Sequence, residues 1–245
     1  MESRTGAGTT PVRRSPRCLL LPQPRVRPRR GLSWQQVERC YVDHAVAVRT
    51  TLRCGAVNVG DDFNDRDMVT WAAAESRRLL QPIPKRWAHV SGVVRQAGRV
   101  ASTLPASERS WLVAAAYLHD IGWAPVLIDT GFHPVDGARW LRAQRRERLA
   151  GLVAYHSGAE YEAELRGLAA ELRDFANEAS DVSECLTYSD ITTGSDGLCV
   201  TLDQRHADVV KRYGVNDPVT LAMERSLPSF RAIVRNVEVR MEGRT

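Results

Sequence analysis

The sequence predicts an all-α protein, a helical bundle preceded by an Arg/Pro-rich extension. Three observations carry this expectation. Beyond Pro84 apolar residues recur at spacings of three and four, Gly and Pro punctuate those patterns, and alternating β-branched runs are scarce. A chain of 245 residues with 43% hydrophobic and 26% charged residues can bury a sizeable core. No apolar run approaches the roughly 20 residues that a bilayer span requires, so no membrane role is expected.

Residues 1–32 hold eight of the 34 basic residues, one of the 29 acidic residues and five of the 12 prolines, with no hydrophobic period. Such a segment is expected to be disordered. The apolar stretch Cys18–Leu21 is too short for a secretory core, and the prolines argue against an amphipathic transit helix. Removing this arm leaves 26 basic against 28 acidic residues, so the formal charge of +5 is no basic footprint and nucleic acid is not an expected partner. With Lys85 and Lys211 the only lysines, the arginine excess reads as genome composition. Cys18, Cys40, Cys54, Cys185 and Cys199 are odd in number and contain no Cys-x-x-Cys pair, which suits a reduced, cytoplasmic chain.

Trp34, Val37, Tyr41 and Val48 permit one short helix, after which Gly55–Asp67 dissolves into Gly, Asn and Asp. Residues 1–66 are therefore expected to be a disordered or weakly structured extension and 67–245 the folded domain. Asp67 is the expected N-cap of a helix running to about Leu80, and Met68, at its first position, is a candidate start of translation. Further helices are expected near 85–102, 106–120, 134–145, 147–157, 160–176, 179–193, 203–213, 217–226 and 228–240. Gly214 is an expected helix stop and Asp217 the next cap. The region from Leu202 onward is assigned to packing, and Trp111 and Trp140 are candidates for an apolar contact between chains, the oligomeric state being unread.

Polar residues fall on the faces these helices should bury. His89, Val93, Ala97 and Val100 share one face; Leu112, Ala115, Ala116 and His119 share another, with Asp120 following. Leu149, Leu152, Val153 and His156 repeat the spacing, as do Val182, Cys185, Leu186, Ser189 and Asp190. Buried polar groups need partners. Inward imidazoles and carboxylates from four helices suit a divalent transition metal, which offsets their desolvation. His44, in the poorly organised segment, and His206, among Gln204, Arg205 and Asp208 on an expected solvated face, are left out.

His89, then His119-Asp120-Ile121-Gly122 closing a helix, then the distant Asp190, resembles the HD superfamily of metal-dependent phosphohydrolases. The resemblance covers roughly Arg86 to Thr193 and implies an HD-type helical bundle in which His89, His119, Asp120 and Asp190 bind metal. The segment from Gly131 to Ala138, with His133, and Tyr155-His156 resemble the extra histidines of HD proteins that hold two ions. Trp123 stands where many HD proteins carry Lys. Phosphate recognition then falls to other groups, for which Arg86, Arg139 and Arg142 are candidates because they flank the motif helices. Thr192 and Thr193 offer hydroxyls or, more simply, cap the helix before Gly194.

What the resemblance implies is a phosphohydrolase in which a metal-activated water attacks the phosphate ester or anhydride of a nucleotide or other small phosphorylated molecule. Asp120 would contact or bridge the ions and orient the nucleophile, with Asp190 or bulk water as alternative bases. Fe, Mn, Co and Zn all suit the ligand set, as one ion or two. A dinuclear-iron HD oxygenase and a non-catalytic metal-binding signalling module remain as alternatives.

Overall fold

The computed structural model describes residues 65–243. Ten α-helices follow one another: α1 Asp65–Leu80, α2 Pro84–Val100, α3 Ala106–Leu118, α4 His133–Ala143, α5 Glu147–Ala154, α6 Ala159–Arg166, α7 Ala169–Arg173, α8 Asp181–Ile191, α9 Leu202–Tyr213 and α10 Pro218–Glu242. Short 3₁₀ turns join several of them, and no strand occurs among the described residues. The all-α expectation holds. The expected disorder of the extension and the helix near Trp34–Val48 lie outside the described residues.

Most local chemistry follows the sequence. α1 buries Met68, Ala72, Ser76 and Leu79 at near-helical spacing and presses against α3. It begins by Asp65, so Asp67 lies inside its first turn, where a carboxylate favours the positive helix end, and Met68 is buried within the helix. α2 starts with Pro84, whose missing N–H would be unsatisfied there in any case. Ser180 caps α8, a reciprocal Thr201/Gln204 box caps α9, and Asp217 caps α10.

Two expected helix limits were wrong. The helix expected over 160–176 breaks at Gly167, whose φ of 72° takes a left-handed turn that glycine adopts without steric cost. The break expected between 226 and 228 is absent: α10 runs through Pro228, its buried Ser226 and Phe230 holding both sides of the proline against neighbours. Burial of that face outweighs the lost backbone hydrogen bond.

One continuous core joins α1 to α6, α8 and the last part of α10. A smaller apolar cluster, Ile191, Leu202, Val209, Met223 and Phe230, seats α9 and α10 on α8. Neither candidate contact tryptophan is exposed. Trp140 stacks on Trp71 with centroids 5.9 Å apart, and Trp111 lies beneath the Arg148 guanidinium. Cys185 is buried and Cys199 exposed.

Candidate metal centre

α2, the turn after α3, the start of α4, the turn after α5 and α8 converge on one cavity. His89 comes from the middle of α2; His119 ends α3 and Asp120 follows it in the turn. His133 is the first residue of α4, His156 opens the 3₁₀ turn after α5, and Asp190 lies near the end of α8. His133 is partly exposed, and the other five are buried.

These six residues form two triads. His89, His119 and Asp190 offer ligand atoms within 4.8 Å of one another, as do Asp120, His133 and His156. Asp120 faces both groups: its Oδ2 lies 3.6 Å from His119 Nε2 and 3.9 Å from His89 Nε2, and its Oδ1 lies 3.3 Å from His133 Nε2. His89 Nε2 is 2.9 Å from Asp190 Oδ1.

Backbone carbonyls orient three of the rings. Nδ1 of His89 donates to the Gly194 carbonyl at 3.0 Å, that of His119 to Ala116 at 2.9 Å and that of His156 to Val153 at 2.6 Å. With the proton on Nδ1, Nε2 of His119 and of His156 turns an acceptor lone pair inward, the outer-shell arrangement of metal-binding histidines, while His89 Nε2 meets Asp190. His119 Nε2 is buried without a hydrogen-bond partner, although the Asp120 carboxylate stands nearby. Nε2 of His133 and of His156 approach to 3.3 Å. A buried acceptor without a donor, as His119 Nε2 is, is costly inside a protein, and a cation beside it removes the cost. The donor set therefore fits a divalent transition metal, and its division into two triads fits two.

Electrostatics favour the ligand forms. Burial pushes His119 and His133 down to about 4, so both are neutral near pH 7. Burial opposes ionisation of Asp120, yet Arg86, His119 and His133 hold its carboxyl well below the usual range. Burial likewise opposes ionisation of Asp190, which His89 and then Arg205 hold well below it.

The candidate phosphate-binding residues divide. Arg86 lines the cavity, donates from Nη1 to Asp120 Oδ2 at 2.8 Å and lies over the Trp123 ring, which stacks on His133. Arg139 and Arg142 do not line it. Arg139 pairs with Asp129 on the surface, and Arg142 pairs with Glu147 and covers Phe175. Thr192 and Thr193 are buried outside the cavity lining, their hydroxyls donating to the carbonyls of Tyr188 and Ser189 one helical turn back. They stand at the end of α8.

α9 corrects a second expectation. Its Arg205 face is not solvated: Arg205, Val209, Arg212 and Tyr213 all line the cavity, so this helix does more than pack. Arg205 Nη2 stands 3.4 Å from Asp190 Oδ1. His206 faces Glu224 and does not line the cavity. Ser157 was also overlooked; its hydroxyl donates to Asp190 Oδ2 at 2.5 Å. The available signal was the i, i+4, i+7 spacing of Arg205, Val209 and Arg212, an inward stripe with guanidiniums at its ends.

The family model described as HD domain matches residues 86–192. Residues 86–192, somewhat less than half of the chain, are similar to an HD domain. Both triads lie within these residues, whereas α9 and α10 lie outside them. No curated protein and no solved structure matches the chain. No helix of the described residues is long and apolar enough to cross a membrane.

Proposed function

We propose that this HD protein is a metal-dependent phosphohydrolase that cleaves a phosphate ester or anhydride of a nucleotide or other small phosphorylated molecule. The observation that carries the reading is the placement of Asp120 between the two triads, with guanidiniums on the same cavity wall.

His89, His119 and Asp190 would hold one Fe, Mn, Co or Zn ion and His133 and His156 a second, with one Asp120 oxygen toward each. When bound, such ions lower the pKa of water and neutralise phosphate oxygens. Asp120, ionised at neutral pH, would orient the attacking water by accepting its hydrogen bond. Arg86, braced by Trp123, offers further N–H groups to phosphate oxygens. Three guanidiniums and three carboxylates line the cavity, so bound divalent ions give it a positive excess that suits an anionic substrate.

The test combines elemental analysis of the full chain with phosphate release from p-nitrophenyl phosphate and from nucleoside mono-, di- and triphosphates, in air and without oxygen. Oxygen-independent phosphate release by metal-loaded protein, lost in Asp120→Ala, is the expected result. A two-iron protein that consumes oxygen and releases no phosphate would replace this reading with the oxygenase one. Metal-bearing protein inert in both assays would leave a binding module.

A further inference from the structure

The cavity rim contributed by α9 holds an arrangement that the two triads do not use. Arg212 Nη1 lies 3.4 Å from the Tyr213 hydroxyl. The same phenol interacts with the Arg86 guanidinium from the opposite side of the chain's fold, α2. Two cations thus meet one phenol oxygen. The carboxylates that compensate them lie to either side: Asp120 behind Arg86 and Asp208 one helical turn before Arg212. Like charges gathered around a neutral hydroxyl repel one another, and an anion received between them turns that repulsion into charge-assisted hydrogen bonds.

The position of this cluster relative to the triads narrows what the anion can be. Arg86 relates to both, since its Nη1 bonds Asp120 and its guanidinium interacts with Tyr213 in the lining of the same cavity. Beside the Asp120 acceptor, the donors of Arg86, Tyr213 and Arg212 thus all line the same cavity. A single phosphate placed at the triads would engage only the first of these donors. A second phosphate joined to the first would engage the rest. A guanidinium offers paired N–H donors that match two phosphate oxygens, and the phenol supplies another donor.

We infer that Arg212 and the Tyr213 hydroxyl, together with the outer side of Arg86, form an anion subsite for a second phosphate of the substrate, which makes the substrate a phosphoanhydride or other linked polyphosphate. The inference rests on the phosphohydrolase reading for its substrate, but the subsite itself belongs to α9, beyond the residues matched to the HD domain. α9 is then the element that distinguishes linked phosphates from a lone phosphate. Its seating on α8 and α10 through Val209, Ile191 and Met223 fixes the two α9 side chains at the rim.

The experiment measures binding, which separates it from turnover. Full-length protein, with metal content determined before and after, is titrated calorimetrically with inorganic orthophosphate and with inorganic pyrophosphate at fixed ionic strength. Wild type is expected to bind pyrophosphate about tenfold or more tightly than orthophosphate, the effect of one charge-assisted contact. Arg212→Gln is expected to bring that ratio near one while leaving orthophosphate affinity within about twofold, and Arg212→Lys to restore part of it. Tyr213→Phe, which keeps the ring packing, should reduce the ratio as well. Equal binding of the two anions by wild type, or a ratio that survives both Arg212→Gln and Tyr213→Phe, overturns the subsite. Pyrophosphate preference in a protein that hydrolyses no phosphate compound would uphold the subsite and refute the hydrolase reading instead.

Discussion

Asp120 Oδ1 lies 3.3 Å from His133 Nε2, although Asp120 follows α3 and His133 begins α4. Gly122 makes that proximity possible. A Cβ at residue 122 would stand 2.0 Å from the His133 carbonyl oxygen and 2.7 Å from the Gly137 nitrogen, both backbone atoms that cannot move aside cheaply. The glycine of the His-Asp-Ile-Gly motif thus lets the second triad dock against the first. Gly122→Ala should displace α4, cost about 1–3 kcal/mol or more through overpacking, and weaken metal retention by Asp120, His133 and His156. Thermal unfolding together with elemental analysis checks this. A variant with unchanged melting and unchanged metal would show that the approach of α4 is not needed.

The division into triads predicts graded losses of metal. His133→Ala and His156→Ala each remove a ligand from one triad and should lower bound metal from two ions per chain toward one. Asp120→Ala touches both triads and should lower it further while abolishing phosphate release. Elemental analysis of folded variants, with helicity confirmed by circular dichroism, reads this directly. One ion in wild type, unchanged by His133→Ala and His156→Ala, would confine the centre to His89, His119, Asp120 and Asp190.

His89, His119, His156 and Asp190 were legible because helical spacing put polar residues on otherwise apolar faces, whereas His133 was read from the resemblance alone. His89 among Val90, Val93 and Ala97, and Asp190 after Leu186 and Ser189, cannot be buried without reason. The arginines were harder to sort. Arg86, Arg139 and Arg142 have the same chemistry and all flank motif helices, but only tertiary packing decides that Arg86 turns to Asp120 while Arg139 and Arg142 find surface carboxylates. Arg205 was hidden for the opposite reason. Its neighbours Gln204 and Asp208 give α9 a polar look, and its inward turn depends on α8 bringing Asp190 within 3.4 Å. At Pro228 a strong local breaker was outweighed by burial on both sides of it.

Acid should destabilise the metal-free protein in two separate windows. Burial holds His119 and His133 near 4 in the folded chain, against 6.5 when exposed by unfolding. The unfolded chain therefore takes up protons first as pH falls, so the stability these groups permit is full above about 6.5 and declines as pH drops toward 4. Asp120 and Asp190 are depressed carboxyls, so their contribution persists to lower pH and is lost only below about 4. Urea midpoints of chelated protein between pH 8 and 4 should fall steadily from about 6.5 downward. A midpoint constant to pH 4.5 would show that these imidazoles are not held neutral by the fold.

Ser157 supplies the sharpest test of how Asp190 is positioned. Its backbone is left-handed, with φ 52° and ψ 41°, a region that costs a residue with a side chain about 1–3 kcal/mol. Glycine would relieve that cost, yet the chain carries a serine whose hydroxyl donates to Asp190 Oδ2 while Asp190 Oδ1 faces His89. The hydroxyl thus fixes which carboxylate oxygen turns toward the histidines. Ser157→Gly removes both strain and hydroxyl, whereas Ser157→Ala removes the hydroxyl alone. The glycine variant should therefore melt higher than the alanine variant, while both lose metal affinity by about tenfold or more, the usual effect of deleting an outer-shell partner. Ser157→Thr should recover part of the affinity. Competition with a chromophoric chelator separates the two roles: if Ser157→Ala holds metal as tightly as wild type, the residue serves only the turn, and Asp190 needs no help in facing His89.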